Sequence, residues 1–149
     1  MGGRGAYSEA KQQNYVYETV GKVEGIKVLA PIDKKLSHSM PAEAHSSNSY
    51  IILDRKYGKF RQYREYNNNH LPTFEVGYHF ESGLSENGKN VFHIHEFSKP
   101  GIENRQGSRL MTPDEISKYK KYFKGITQQQ IDEYLSFYYR RNKKWMGKQ

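Results

Sequence analysis

The run from Phe74 to Phe97 constrains the fold more than any other part of this chain. It reads FEVGYHF, ESGLSENGKN and VFHIHEF, two alternating stretches around a turn-rich connection, which is the pattern of a β-hairpin. Alternation puts Phe74, Val76, Tyr78 and Phe80 on one side of the first strand and Glu75, Gly77, His79 and Glu81 on the other. In the second strand Phe92 and Ile94 share the apolar side, with His93, His95 and Phe97 opposite. A connection centred near Glu86 predicts that His79 faces His93 directly. Cross-strand neighbours stand roughly 4.5–5.5 Å apart at Cβ, so three of the chain's six histidines gather on one expected surface. Imidazole titrates near neutral pH, ligates metals and transfers protons, so this face is the expected site of chemistry.

The flanking sequence extends the sheet. YVYETV (Tyr15–Val20) and IKVLAP (Ile26–Pro31) read as short strands around a turn, and YIILD (Tyr50–Asp54) as a buried strand. The turn RKYGK then leads to FRQYREY (Phe60–Tyr66), which ends at NNNHLP because Asn favours turns and Pro72 lacks a ladder donor. Residues from Asp33 to Asn48 are small and polar around Pro41 and read as an exposed loop carrying His38 and His45. Two helices are marked by capping boxes, Thr112-Pro113-Asp114-Glu115 and Thr127 with Gln130, with Gly125 closing the first. Ile116, Tyr119 and Phe123, then Ile131, Tyr134, Leu135, Tyr138 and Trp145, form their apolar stripes. The expected fold is α+β: a twisted antiparallel meander of about 4–6 strands with two C-terminal helices packed on one face. It forms one domain over residues 15–149, with a basic helical segment at 112–146, behind a flexible, glycine-bearing leader at 1–14.

Composition narrows the function classes. The chain has no cysteine, which removes disulfides and thiolate metal sites. It has no apolar run near the roughly 20 residues of a transmembrane helix, so no membrane role is expected and the expected location is the cytoplasm. P-loop, dinucleotide-binding, HExxH and GxSxG motifs are absent, so no cofactor is expected. The net charge is +8, but residues 1–117 carry 15 Lys/Arg against 14 Asp/Glu, whereas residues 118–149 carry nine against two. That basic block favours a polyanion, with RNA or a ribonucleoprotein first. Lys120, Lys121, Lys124, Arg140, Arg141, Lys143 and Lys144 are its candidate phosphate contacts. On the strand FRQYREY and its preceding turn, Lys59, Arg61 and Tyr63 interleave charge with a stacking ring, which also suits RNA.

Two chemistries are open to the histidine face. In the metal-free one, two of His79, His93 and His95 act as acid and base while the 2′-hydroxyl of RNA attacks its own phosphate. Arg105 and Arg109, in the expected loop PGIENRQGSRL, would then steady the charged intermediate. The alternative is a metal on His79, His93 and His95 with Glu81 or Glu96 as a fourth ligand.

The opening MGGRGAYS resembles the MGGRGAS-like openings of small phage and prophage proteins. The stretches GKFRQYREYNNN, FEVGYHF and NVFHIHEF resemble a core of the phage-type barnase, EndoU and colicin ribonuclease-like group. The resemblance implies RNA cleavage, with His79, His93, His95 and Arg105 as the residues to test. The leading expectation is therefore a mobile-element protein acting on RNA in a host bacterial cell, as a metal-independent ribonuclease-like enzyme or toxin. The competing reading is a non-enzymatic anti-defence protein of the anti-CRISPR kind, binding a host nuclease or its guide RNA through the basic helices. A virion or head-assembly accessory role is third.

Overall fold

The computed structural model describes residues 16–33 and 39–146, of which 144–146 are described as backbone only. The expected leader, His38 and the side chains of Lys144 and Trp145 lie outside the described residues. Seven strands form one open sheet in sequence order, β1 (Tyr17–Val23), β2 (Ile26–Pro31), β3 (Ser49–Leu53), β4 (Phe60–Tyr66), β5 (Pro72–His79), β6 (Val91–Phe97) and β7 (Arg105–Leu110). Neighbours are antiparallel except β2 and β3, which run parallel. The architecture is thus α+β and mostly antiparallel, with more strands than expected.

The extra strand is β7, which replaces the expected loop around Arg105 and Arg109. Its sequence RQGSRL has no apolar alternation, because an edge strand pairs through its backbone and buries few side chains. β1 also runs past the expected Val20, through a register shift between Thr19 and Gly21, to a tight turn at Glu24 and Gly25. Both turn residues have positive φ (51° and 79°), the backbone that a two-residue hairpin turn requires.

The parallel β2–β3 pair requires a crossover, and the chain between them does more than connect. Met40 and Ala44 are buried against Leu29, Tyr50, Ile52 and Tyr66. The Pro41 carbonyl accepts from the Arg64 guanidinium and the Tyr66 hydroxyl. This part of the expected exposed loop is a cover over one side of the sheet. Met40 and Ala44 are too far apart and too few to give a periodic signal, yet they pack against the buried rings of Tyr50 and Tyr66.

Helix α1 (Pro113–Tyr119) starts as its sequence dictates. Thr112 Oγ1 accepts from Glu115 N (3.2 Å), and Glu115 Oε1 accepts from Thr112 N (2.9 Å). A 3₁₀ turn (Lys120–Tyr122) and Gly125 (φ 76°) end it. Thr127 and Gln130 repeat the reciprocal cap at the start of helix α2 (Gln128–Met146). Ile116, Tyr119, Phe123, Ile131 and Tyr134 join one buried cluster with Val28, Ile51, Tyr63, Val76, Phe92 and Ile94. Each such side chain contributes roughly 1.5–3 kcal/mol by leaving water. Among the described residues no helix is long and apolar enough to cross a membrane.

Candidate functional site

Strand alternation puts the chemistry on the side of β5 and β6 that this cluster does not use. Phe92 and Ile94 are in the cluster, and the residues alternating with them, His93 and His95, are buried polar groups. Pairing across the hairpin is Glu75 with His95, Gly77 with His93, and His79 with Val91. The expected direct opposition of His79 and His93 therefore does not form. The connection from Phe80 to Asn90 is centred on Ser85 rather than Glu86, and moving the centre by one residue moves the register by two. Because the shift is even, the histidines stay on their common face. His79 and His93 become diagonal neighbours, with ring centroids 4.5 Å apart and edge-on, and His95 stands 5.5 Å from His93.

Three backbone carbonyls orient the rings. His79 Nδ1 lies 2.7 Å from the Phe80 oxygen, His93 Nδ1 3.0 Å from Val91, and His95 Nδ1 2.9 Å from Gln106. A carbonyl oxygen only accepts, so each Nδ1 carries the proton and each neutral ring keeps a lone pair on Nε2. Glu81, just beyond β5, brings its Oε2 to 3.3 Å from the Nε2 of both His93 and His95. These three ligand atoms lie within 4.8 Å of one another, which makes Glu81, His93 and His95 a group able to hold a metal among the described residues. Glu96 does not join them: it points away and pairs with Arg109 at 3.3 Å.

Behind the histidines is a buried ion pair. Glu75 accepts from Arg64 Nε (2.9 Å) and from a second guanidinium nitrogen, while Gln62 donates at 3.1 Å and Arg105 approaches at 3.5 Å. Burial opposes ionisation of Glu75, but Arg64 and Arg105 outweigh it and hold the carboxyl below its ordinary range. Burial also dominates at His93, whose pKa falls to about 4, with the neighbouring His79 adding to the shift. His79 is lowered as well, chiefly by burial. A ring as enclosed as His93 is poorly placed to exchange protons with a substrate; His79 is the more open of the two.

Of the expected catalytic residues, His79, His93, His95 and Arg105 converge and Arg109 does not. Arg109 is paired with Ile94 on the other face of the sheet. There it forks onto Glu115 at 2.9 and 2.8 Å, bracing the α1 cap. Among the nucleic-acid candidates, Tyr63 is buried with its ring stacked on Tyr122 at 4.6 Å, so it offers no open face to a base. The exposed ring nearby is Tyr57, in the turn before β4. Lys59 and Arg61 line a groove with Lys56, Tyr57 and His79. Lys120, Lys121, Lys124, Arg140 and Lys143 are exposed. Arg141 instead donates to the carbonyls of Leu84 (2.6 Å) and Gly83 (3.3 Å), tying α2 to the connection that carries Glu81.

Gly77 makes the cluster possible. A β-carbon there would fall 2.8 Å from His93 Nε2 and 3.3 Å from His79 Nε2. Gly77→Ala is therefore expected to keep the fold, with a loss of about 1–3 kcal/mol from overpacking, while displacing the His93 ring. Imidazole nitrogen chemical shifts in the folded variant check this, and an unmoved His93 signal would count against the close fit. Comparison of the chain with protein families, curated proteins and solved structures finds no match.

Proposed function

We propose that this protein acts on RNA and presents a phosphodiester to the histidine–glutamate cluster. One observation carries the reading: a groove of about 360 Å³, lined by Lys56, Tyr57, Lys59 and Arg61, reaches His79. His79 in turn touches His93 edge-on. Cations along a groove suit phosphates, and an exposed tyrosine ring, 68% accessible at Tyr57, suits an unstacked base. The Lys124 carbonyl accepts from Phe60 N (2.8 Å), so the basic turn at 120–124 runs beside the same groove. The reaction class is phosphodiester cleavage. His79 is the proton-accepting group at the end of the groove, since its lowered pKa keeps the ring neutral at pH 7. Such an activity suits a phage or other mobile-element protein directed at RNA in its host.

Binding and cleavage of labelled single-stranded RNA, followed by anisotropy and on gels, tests the proposal. Affinity should fall steeply with salt, because each neutralised phosphate contributes a slope of about −0.7 on single strands. The triple variant Lys56→Gln/Lys59→Gln/Arg61→Gln should flatten that slope by roughly two, and His79→Ala should abolish cleavage with little change in affinity. Binding without turnover would favour the non-catalytic inhibitor instead. Salt-independent binding, or none, would overturn an RNA function of either kind.

A further inference from the structure

We infer that Glu81, His93 and His95 form a binding site for one divalent transition-metal ion, zinc by the chemistry of its donors. Ion binding stands on the geometry below; only the use of the ion in RNA cleavage rests on the function proposed above.

The Nε2 of His93 is fully buried and has no hydrogen-bond partner. Its Nδ1 proton is committed to the Val91 carbonyl, so what Nε2 directs into the cluster is a lone pair. His95 is held in the same tautomer by Gln106 and directs a second lone pair there. Facing both is a carboxylate oxygen, 3.3 Å from each nitrogen. Three electron-rich atoms at this spacing repel one another unless a cation lies between them. One proton could satisfy a single pair of the three, whereas a metal ion satisfies all.

Two of the three spacings also have the right size. Nitrogen and oxygen ligands about 2.0–2.1 Å from a tetrahedral ion stand roughly 3.3–3.4 Å apart, by the geometry of a tetrahedron. Both Glu81 distances, at 3.3 Å, match that edge, while the two imidazole nitrogens lie within 4.8 Å of each other and close onto the ion as it binds. Two imidazoles and a carboxylate are a donor set that zinc takes while leaving a fourth position open. Carbonyl oxygens behind each histidine provide the orienting bonds that metal-ligating histidines almost always have. Glu75 stands 4.0 Å from His95 Nε2, with its own oxygens engaged by Arg64 and Gln62. Gly77 leaves room for the His93 and His79 rings, which a β-carbon there would crowd, and His79 also lines the proposed RNA groove.

Chelator-treated full-length protein, titrated with Zn²⁺ by calorimetry and with Co²⁺ by visible absorption, tests the site. The expected result is one ion per chain and a tetrahedral Co²⁺ spectrum. Glu81→Gln should weaken binding by more than the roughly 10–100-fold typical of losing a group behind a ligand. Glu81 is partly exposed on a connection, so this variant should fold even where His93→Ala does not. His95→Ala is the second ligand variant, and Glu96→Gln, on the other face, should leave binding unchanged. No stoichiometric binding, or binding that survives both Glu81→Gln and His95→Ala, would overturn the site. RNA cleavage that persists in chelator without any bound ion would overturn the use of the ion in cleavage and spare the RNA function. A bound ion with no RNA binding would overturn the RNA function and spare the site.

Discussion

Arg64→Met is expected to destabilise the protein by about 3–5 kcal/mol, a large part of the roughly 5–15 kcal/mol that holds a domain folded. The Arg64 and Glu75 side chains are 4% and 1% accessible, so each is ionised out of contact with water. Removing the guanidinium strands a buried carboxylate with Gln62 and the more distant Arg105 and His95 as partners. It also leaves the Pro41 carbonyl with Tyr66 as its remaining donor, loosening the cover formed by residues 39–48. Urea unfolding measures the loss. The double variant Arg64→Met/Glu75→Leu should lose much less than the two single changes added together, because an apolar pair leaves no charge behind.

Acidity gives an independent check. The Glu75 carboxyl is held below its usual pKa despite its burial, so its contribution to wild-type stability is complete above the ordinary carboxylate range and disappears as pH falls through the native pKa. Without Arg64 the buried group prefers to be protonated, and acid removes the penalty. The gap between variant and wild type should narrow on acidification. A gap that is constant from neutral to acid pH would show that the lost energy was not electrostatic.

Phe92→Ala is the second large effect, expected at about 3–5 kcal/mol. Phe92 is fully buried among Tyr78 (4.1 Å between centroids, stacked), Phe123 (4.8 Å, stacked) and Tyr134 (5.1 Å, edge-on). These partners come from β5, from the chain after α1 and from α2, so no single neighbour can collapse into the space without leaving the others. For a chain of this length the melting temperature should drop by about 10 °C. His93 and His95 alternate with Phe92 on the opposite face, and their nitrogen signals should persist in the folded variant. A loss under about 1 kcal/mol would mean that the three rings close over the gap.

The outcome at the histidines shows why some of the molecule could be read directly. Strands β2, β4 and β6 have the bounds that their composition predicted, and both capping boxes form as written. In each case the information is local: side-chain period, a proline, or a threonine spaced three residues from its partner. Other expectations failed where the deciding contact is distant. Tyr63 interleaves with charges as an RNA-stacking residue would, yet Tyr122, far along the chain, covers its ring. Arg109 follows the histidine strand closely in sequence, but strand pairing puts it beside Ile94 and α1 claims it. β7 carries no apolar pattern because its backbone, not its side chains, earns its place.

The sequence by itself determined that His79, His93 and His95 share one face, since alternation survives any even change of register. It also determined where the helices start, because a cap is completed within four residues. Tertiary structure alone decided which groups meet on that face. The two-residue shift set by an asymmetric connection put Gly77 under His93 and let Glu81 turn back to 3.3 Å from two imidazoles. Loop closure and the packing of Arg141 against that connection are long-range events, and no local pattern in the chain encodes them.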